Sequence, residues 1–95
     1  MVSFTVRMEF REEDRERVKE HLRKLAAASR QEFGCVSFVP HLVVEGPPTM
    51  LIYEQYADEA ALDHHRNSPH FAQYATDGLY KLMTSRKLER LEAVA

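Results

Sequence analysis

Val2-Ser3-Phe4-Thr5-Val6-Arg7-Met8-Glu9-Phe10 opens the chain with strict alternation. Val2, Phe4, Val6, Met8 and Phe10 fall on one side, and Ser3, Thr5, Arg7 and Glu9 on the other. Successive side chains of a strand point to opposite faces, so this is a strand with one face in a core. The period then changes. Between Glu12 and Phe33 the residues Val18, Leu22, Leu25, Ser29 and Phe33 recur at steps of three and four, with Ala26 beside them. That spacing predicts an amphipathic helix whose charged run, Arg15 through Lys24, is its solvated face. Gly34 is expected to stop it.

Working outward, Cys35 to Glu45 reads as a second strand, punctuated by Gly46-Pro47-Pro48, and Thr49 to Ala57 as a third. Asp58 is placed to cap a helix carrying Ala61, Leu62 and His65. Ser68-Pro69 then has the form of a cap followed by a first-position proline, which starts a new helical piece from Pro69 to about Met83. That piece is expected to bury Phe71, Ala75, Leu79 and Leu82. Ser85 to Val94 is read as the last strand.

The order strand, helix, strand, strand, helix, strand is the split βαβ, ferredoxin-like α+β arrangement with an antiparallel sheet. Both helices can cover only one face of that sheet. In the second strand Val36, Phe38, Leu42 and Val44 share one face while Val39 and Val43 share the other; in the third, Leu51 and Tyr53 oppose Met50, Ile52 and Tyr56. The second apolar face needs a cover, and a second copy of the sheet would supply it. A homodimer with facing sheets is therefore expected.

At 95 residues the chain has room for a single domain, read here as 1–95. A domain of that size buries only about two thirds of the surface exposed by its unfolded chain, so help from a partner subunit is natural. A disulfide cannot help, because Cys35 is the only cysteine, and one unpaired thiol fits a reducing cytoplasm. The start shows neither a basic region nor a long apolar one, and no apolar run approaches membrane-spanning length. The net charge of −2 is spread with both signs mixed, which argues against nucleic acid as a partner.

Three stretches together resemble the antibiotic-biosynthesis-monooxygenase family from about residue 2 to 92. Ser29-Arg30-Gln31-Glu32-Phe33-Gly34-Cys35 resembles its S-x-x-E-x-G-C segment. Tyr53-Glu54-Gln55-Tyr56 resembles the E-x-[WY] end of the third strand. Ala60 to Phe71 resembles A-L-x-x-H-x-x-[ST]-x-H-F, which puts the two motif histidines on His65 and His70. The resemblance implies a dimeric α/β barrel with a small apolar pocket between sheet and helices. It also implies one of several chemistries, since relatives include quinol and polyketide-tailoring monooxygenases that use O2 without a cofactor, haem degraders, and an isomerase of the phosphorylated autoinducer-2 signal. The run Leu82 to Leu91 is most similar to the isomerase branch. The haem branch relies on a tryptophan, and this chain has none; Tyr56 stands where many polyketide-tailoring members carry one.

The resemblance raises His65 and His70 as catalytic residues, Tyr74 is a candidate beside them, and Phe38, Tyr53, Glu54, Phe71 and Arg30 are the expected substrate contacts. Each also has a plainer reading. His65 follows Leu62 by three residues on the apolar side of its helix, where a buried ring can bond a carbonyl or a carboxylate such as Glu54. As a functional group it is a general base, since imidazole titrates near neutral pH. His70 lies one turn before Tyr74 and either packs locally or pairs with it to hold a phenol or carbonyl. Glu54 is an acid or base if buried, or half of an ion pair. Cys35 reads as a small packed hydrophobe. His64 and His65 diverge on a helix, and the spacing of His65 and His70 matches no strong ligand motif, so no metal is expected.

No Gly-rich phosphate loop or dinucleotide fingerprint is present, so redox chemistry must start from the substrate with no cofactor. The primary expectation is a cofactor-independent monooxygenase acting on a small phenolic or hydroquinone substrate with O2. The alternatives are an isomerase of a small phosphorylated carbonyl compound, with Arg86 and Lys87 as a cationic rim, and a non-catalytic dimeric ligand-binding module.

Overall fold

A computed structural model describes residues 1–95. Four strands, β1 (Val2–Glu9), β2 (Cys35–Leu42), β3 (Thr49–Tyr56) and β4 (Ser85–Leu91), form one sheet in the order β2-β3-β1-β4. Every neighbouring pair is antiparallel. Helix α1 (Arg15–Ser29) follows a short 3-10 turn at Glu12–Asp14 and joins β1 to β2. Helices α2 (Glu59–Arg66) and α3 (69–82) join β3 to β4. This is the ferredoxin-like α+β fold. No helix is long and apolar enough to cross a membrane.

Alternation in β1 carries straight into the core, where Val2, Phe4, Val6 and Met8 are buried. Cross-strand register then sets the same face on the neighbours: Val6 lies opposite Ile52 and Leu88, and Phe4 opposite Glu54 and Arg90. The helices cover this face with Val18, Leu22 and Leu25 of α1, Leu62 of α2, and Ala75 and Leu79 of α3. The other face carries Leu51 and Tyr53, both half-buried, beside Val39, which is exposed.

Both predicted caps form. Asp58 accepts from the Ala61 N–H at 2.8 Å, and the Ser68 hydroxyl accepts from the Phe71 N–H at 3.2 Å. Helix α3 is wound as a π-helix over Phe71–Leu79 and closes with an α turn at Tyr80–Leu82. Gly78 in that helix packs on α1, where an added Cβ would lie 3.0 Å from the His21 ring.

The first helix stops at Ser29, four residues short of the predicted end, and Phe33 is fully exposed. Successive turn bonds, Gln31 N–H to Ala28 and Glu32 N–H to Ser29, swing the chain so that Glu32 enters the interior and Phe33 leaves it. Gly34 is not a left-handed cap, since only Gly46 has positive φ. Its role is close approach, because a Cβ there would fall 2.3 Å from the Cβ of Ala61 on α2. In β2 a register irregularity between Cys35 and Ser37 turns Val36 out to solvent, and Val44 lies beyond the strand. Strand β4 ends at Leu91 rather than Val94, because its partner β1 runs out where Ser3 faces Leu91.

Candidate active site

Between the inner face of the sheet and the helices lies a narrow cavity of about 30 Å³. That is room for about two waters. Val6, Ile52, Phe38 and Leu88 line it from the sheet, and Tyr80 of α3 stands on its outer side. Glu54 and His65 are the polar groups inside, and Arg66 and Arg86 line the rim. Neither arginine forms an ion pair: Arg66 sits over the ring of Phe4 at 5.9 Å and Arg86 over the ring of Tyr80 at 5.5 Å.

His65 occupies the last turn of α2 and is buried. Its ring is boxed by Tyr56, Phe71 and Phe38, with centroids at 5.0, 5.2 and 5.9 Å. Nδ1 lies 2.9 Å from Oε2 of Glu32, and Nε2 lies 3.6 Å from Oε1 of Glu54. Nε2 of His70 reaches the same Glu32 oxygen. Ser68 fixes the corner between the two histidines by donating to the His65 carbonyl at 2.7 Å. Three segments distant in sequence thus converge on one carboxylate. The turn after α1 supplies Glu32, the end of α2 supplies His65, and the start of α3 supplies His70.

Burial pushes the imidazolium of His65 below its ordinary range, and the Glu32 contact opposes that shift. Neutral His65 with its Nδ1–H donated to Glu32 leaves a lone pair on Nε2, on the side of Glu54 and the cavity. Glu54 is pushed up to about 7, chiefly by burial. The Tyr56 hydroxyl, donating to Glu54 at 2.7 Å, and the charge of Arg66 pull the other way. The Tyr56 phenol is itself pushed upward by burial and by Glu54. An imidazole whose protonation burial disfavours and a carboxyl whose ionisation burial disfavours therefore face one another at the cavity wall.

The remaining predicted residues separate. Phe38 lines the cavity, and Phe71 packs edge-on against His65. Tyr74 is half-buried against His21, with centroids 6.3 Å apart, so the partner of His70 is Glu32 rather than Tyr74. Tyr53 points to the opposite face of the sheet, between Thr5 and Val39. Arg30 donates to the Phe38 carbonyl at 3.0 Å and lies outside the cavity. Cys35 is half-buried with its thiol pushed up to about 11 by burial, next by the Glu32 and Glu54 charges, as suits a packing residue. Lys87 pairs with Glu89 at 3.7 Å and does not line the cavity, whereas Arg86 does. The sequence alone predicts no role for Glu32 or Arg66. The signal for Glu32 was its place in the Ser29–Cys35 motif; Arg66 had none beyond adjacency to His65.

The sequence model of the family described as antibiotic biosynthesis monooxygenase matches residues 1–77. Among solved structures, a Pseudomonas aeruginosa protein is 28% identical with a TM-score of 0.89, over 99% of this chain and 94% of that one. A conserved Bacteroides thetaiotaomicron protein of unknown function, named a possible oxidoreductase, is 27% identical with a TM-score of 0.87, over 97% and 96%. An antibiotic biosynthesis monooxygenase at 22% identity shares the fold, with a TM-score of 0.91 over the whole of both chains. Comparison with curated proteins found no match.

Proposed function

The chain belongs to the antibiotic biosynthesis monooxygenase family, and from that premise we propose that it is a cofactor-independent monooxygenase of a small phenolic or hydroquinone substrate. The observation that carries this reading is the buried His65, held through Nδ1 by Glu32 and offering Nε2 to the cavity beside Glu54. In this mechanism Nε2 takes the proton of a hydroquinone hydroxyl, and the anion passes one electron to O2. The radical pair recombines at a ring carbon that bears hydrogen, and His65 returns its proton to the peroxide. Loss of water from that hydroperoxide gives a hydroxylated quinone, so one O2 and one hydroquinone yield one quinone and one water. Glu32 stabilises the transient imidazolium and His70 anchors Glu32, which makes His70 a positioning residue.

A benzene-sized ligand needs a cavity on the order of 150 Å³, so substrate entry requires the outer side to open. Tyr80 and Leu88 are half-buried and Arg86 is exposed, so the cavity lies nearest to solvent on that side. The unpaired Arg66 and Arg86 favour a second reading, the isomerase of a phosphorylated carbonyl compound, in which they would hold the phosphate and His65 would move the proton. The reading includes a homodimer through the outer sheet face and a cytoplasmic location, which the lone Cys35 suits.

The test is oxygen uptake by metal-stripped protein with a panel of hydroquinones, above their autoxidation rate. Uptake that falls in His65→Ala supports the monooxygenase. Absence of uptake across the panel removes that reading and leaves the isomerase or a non-catalytic binding module.

A further inference from the structure

We propose that Glu32, His65 and His70 form a binding site for one divalent transition-metal ion, zinc being the best match. Their donor atoms all lie within 4.8 Å of one another, although the residues come from three different elements. The side chains are 4%, 3% and 20% exposed, so the cluster is built into the interior. Both imidazoles aim at one carboxylate oxygen, and the other, Glu32 Oε1, is buried with no hydrogen-bond partner. An orphaned buried carboxylate oxygen is costly, and a cation at this point would satisfy it.

Two imidazole nitrogens and one carboxylate are a zinc donor set, with bonds of about 2.0 to 2.2 Å. A tetrahedral ion with such bonds holds its donor atoms about 3.3 Å apart, so side-chain rotations of about an ångström suffice. The nitrogen ligands select the borderline transition ions over magnesium and calcium, which take oxygen. The ring positions are already set by the Ser68 bond to the His65 carbonyl and by the Glu32 contacts themselves. His70 is the most open of the three, so the ion enters from its side. The linear sequence hid the site because the third donor comes from 33 residues before His65.

Occupancy has a chemical consequence that rests on the monooxygenase reading, while binding itself does not. An ion on Nδ1 of His65 leaves the ring proton on Nε2, which removes the lone pair that faces the cavity. Zinc would therefore silence the oxidation.

The experiment is calorimetric titration of EDTA-treated, dialysed protein with Zn²⁺, repeated with Co²⁺ while recording its visible absorption. We expect one ion per chain and, in Glu32→Gln and in His70→Ala, a weakening of at least about 100-fold, since losing a ligand costs more than losing an outer-sphere partner. Equal binding in both variants would assign the ion to other histidines such as His21, His41 or His64 and overturn the proposal, as would no binding to the parent. Should the variants not fold, nitrogen-15 shifts of the parent histidine rings decide. Movement at His65 Nδ1 and His70 Nε2 on adding zinc supports the site, and movement confined to other rings overturns it. Zinc binding by a protein whose metal-stripped form oxidises no hydroquinone would sink the monooxygenase and leave the site standing; oxidation by the metal-stripped form without zinc binding would do the reverse.

Discussion

Nδ1 of His65 lies 2.9 Å from Oε2 of Glu32, across 33 residues of chain and with both side chains buried. The contact fixes which ring nitrogen carries the proton and therefore which one can act on a ligand. It also ties the turn after α1 to the end of α2, so the geometry of the site depends on how two separate helices end.

Glu32→Gln tests that dependence. The amide keeps the shape of the side chain but not the charge that stabilises a protonated His65. On the proposed mechanism kcat for hydroquinone oxidation falls by roughly 10- to 100-fold, and the acidic limb of the pH profile, set by protonation of His65, moves to lower pH. A stability-only role would change the melting temperature and leave the pH profile where it was.

Glu54 makes stability depend on pH in a defined direction. Its carboxyl is raised from 4.5 to about 7 in the folded state, so folded protein holds a proton there that unfolded protein has lost. The associated stability is full below about pH 4.5 and is lost as pH rises through about 7. A shift of that size corresponds to roughly 3 kcal/mol. Glu54→Gln retains an acceptor for the Tyr56 hydroxyl and removes the titration. Its stability relative to the parent, measured by urea unfolding, is expected to improve between pH 5 and pH 8. A pH-independent difference would show that Glu54 titrates alike in both states.

Gly34→Ala should destabilise by about 1 to 3 kcal/mol, because the new methyl falls 2.3 Å from the Cβ of Ala61. Ala61→Gly in the same chain should restore part of that loss, and a double-mutant cycle by thermal unfolding measures it. Strictly additive effects would mean that the two positions do not touch.

The outer sheet face, with Tyr53, Leu51 and Val39, is the proposed dimer surface. Light scattering behind size exclusion should give twice the chain mass for the parent and the single mass for Tyr53→Glu. A parent that runs as a monomer at high micromolar concentration would remove this part of the reading.

The sequence by itself determined whatever depends on neighbours a few residues apart. Alternation placed Phe4, Val6 and Met8 in the core, three- and four-residue spacing placed Val18, Leu22 and Leu25 there, and Asp58 and Ser68-Pro69 marked helix starts that the structure forms. Local sterics and hydrogen bonding suffice for these, and the βαββαβ order follows from their succession. Only the tertiary structure decided which way the chain leaves Ser29, and so that Glu32 turns inward while Phe33, the more apolar neighbour, is left in solvent. It alone sent Tyr74 to His21 and Tyr53 to the far side of the sheet, and brought Arg66 and Arg86 to one rim. The physical reason is that the buried His65 ring and the half-buried His70 ring must be paired with an acceptor from somewhere in the fold, and a requirement between distant segments leaves no period in the sequence to read.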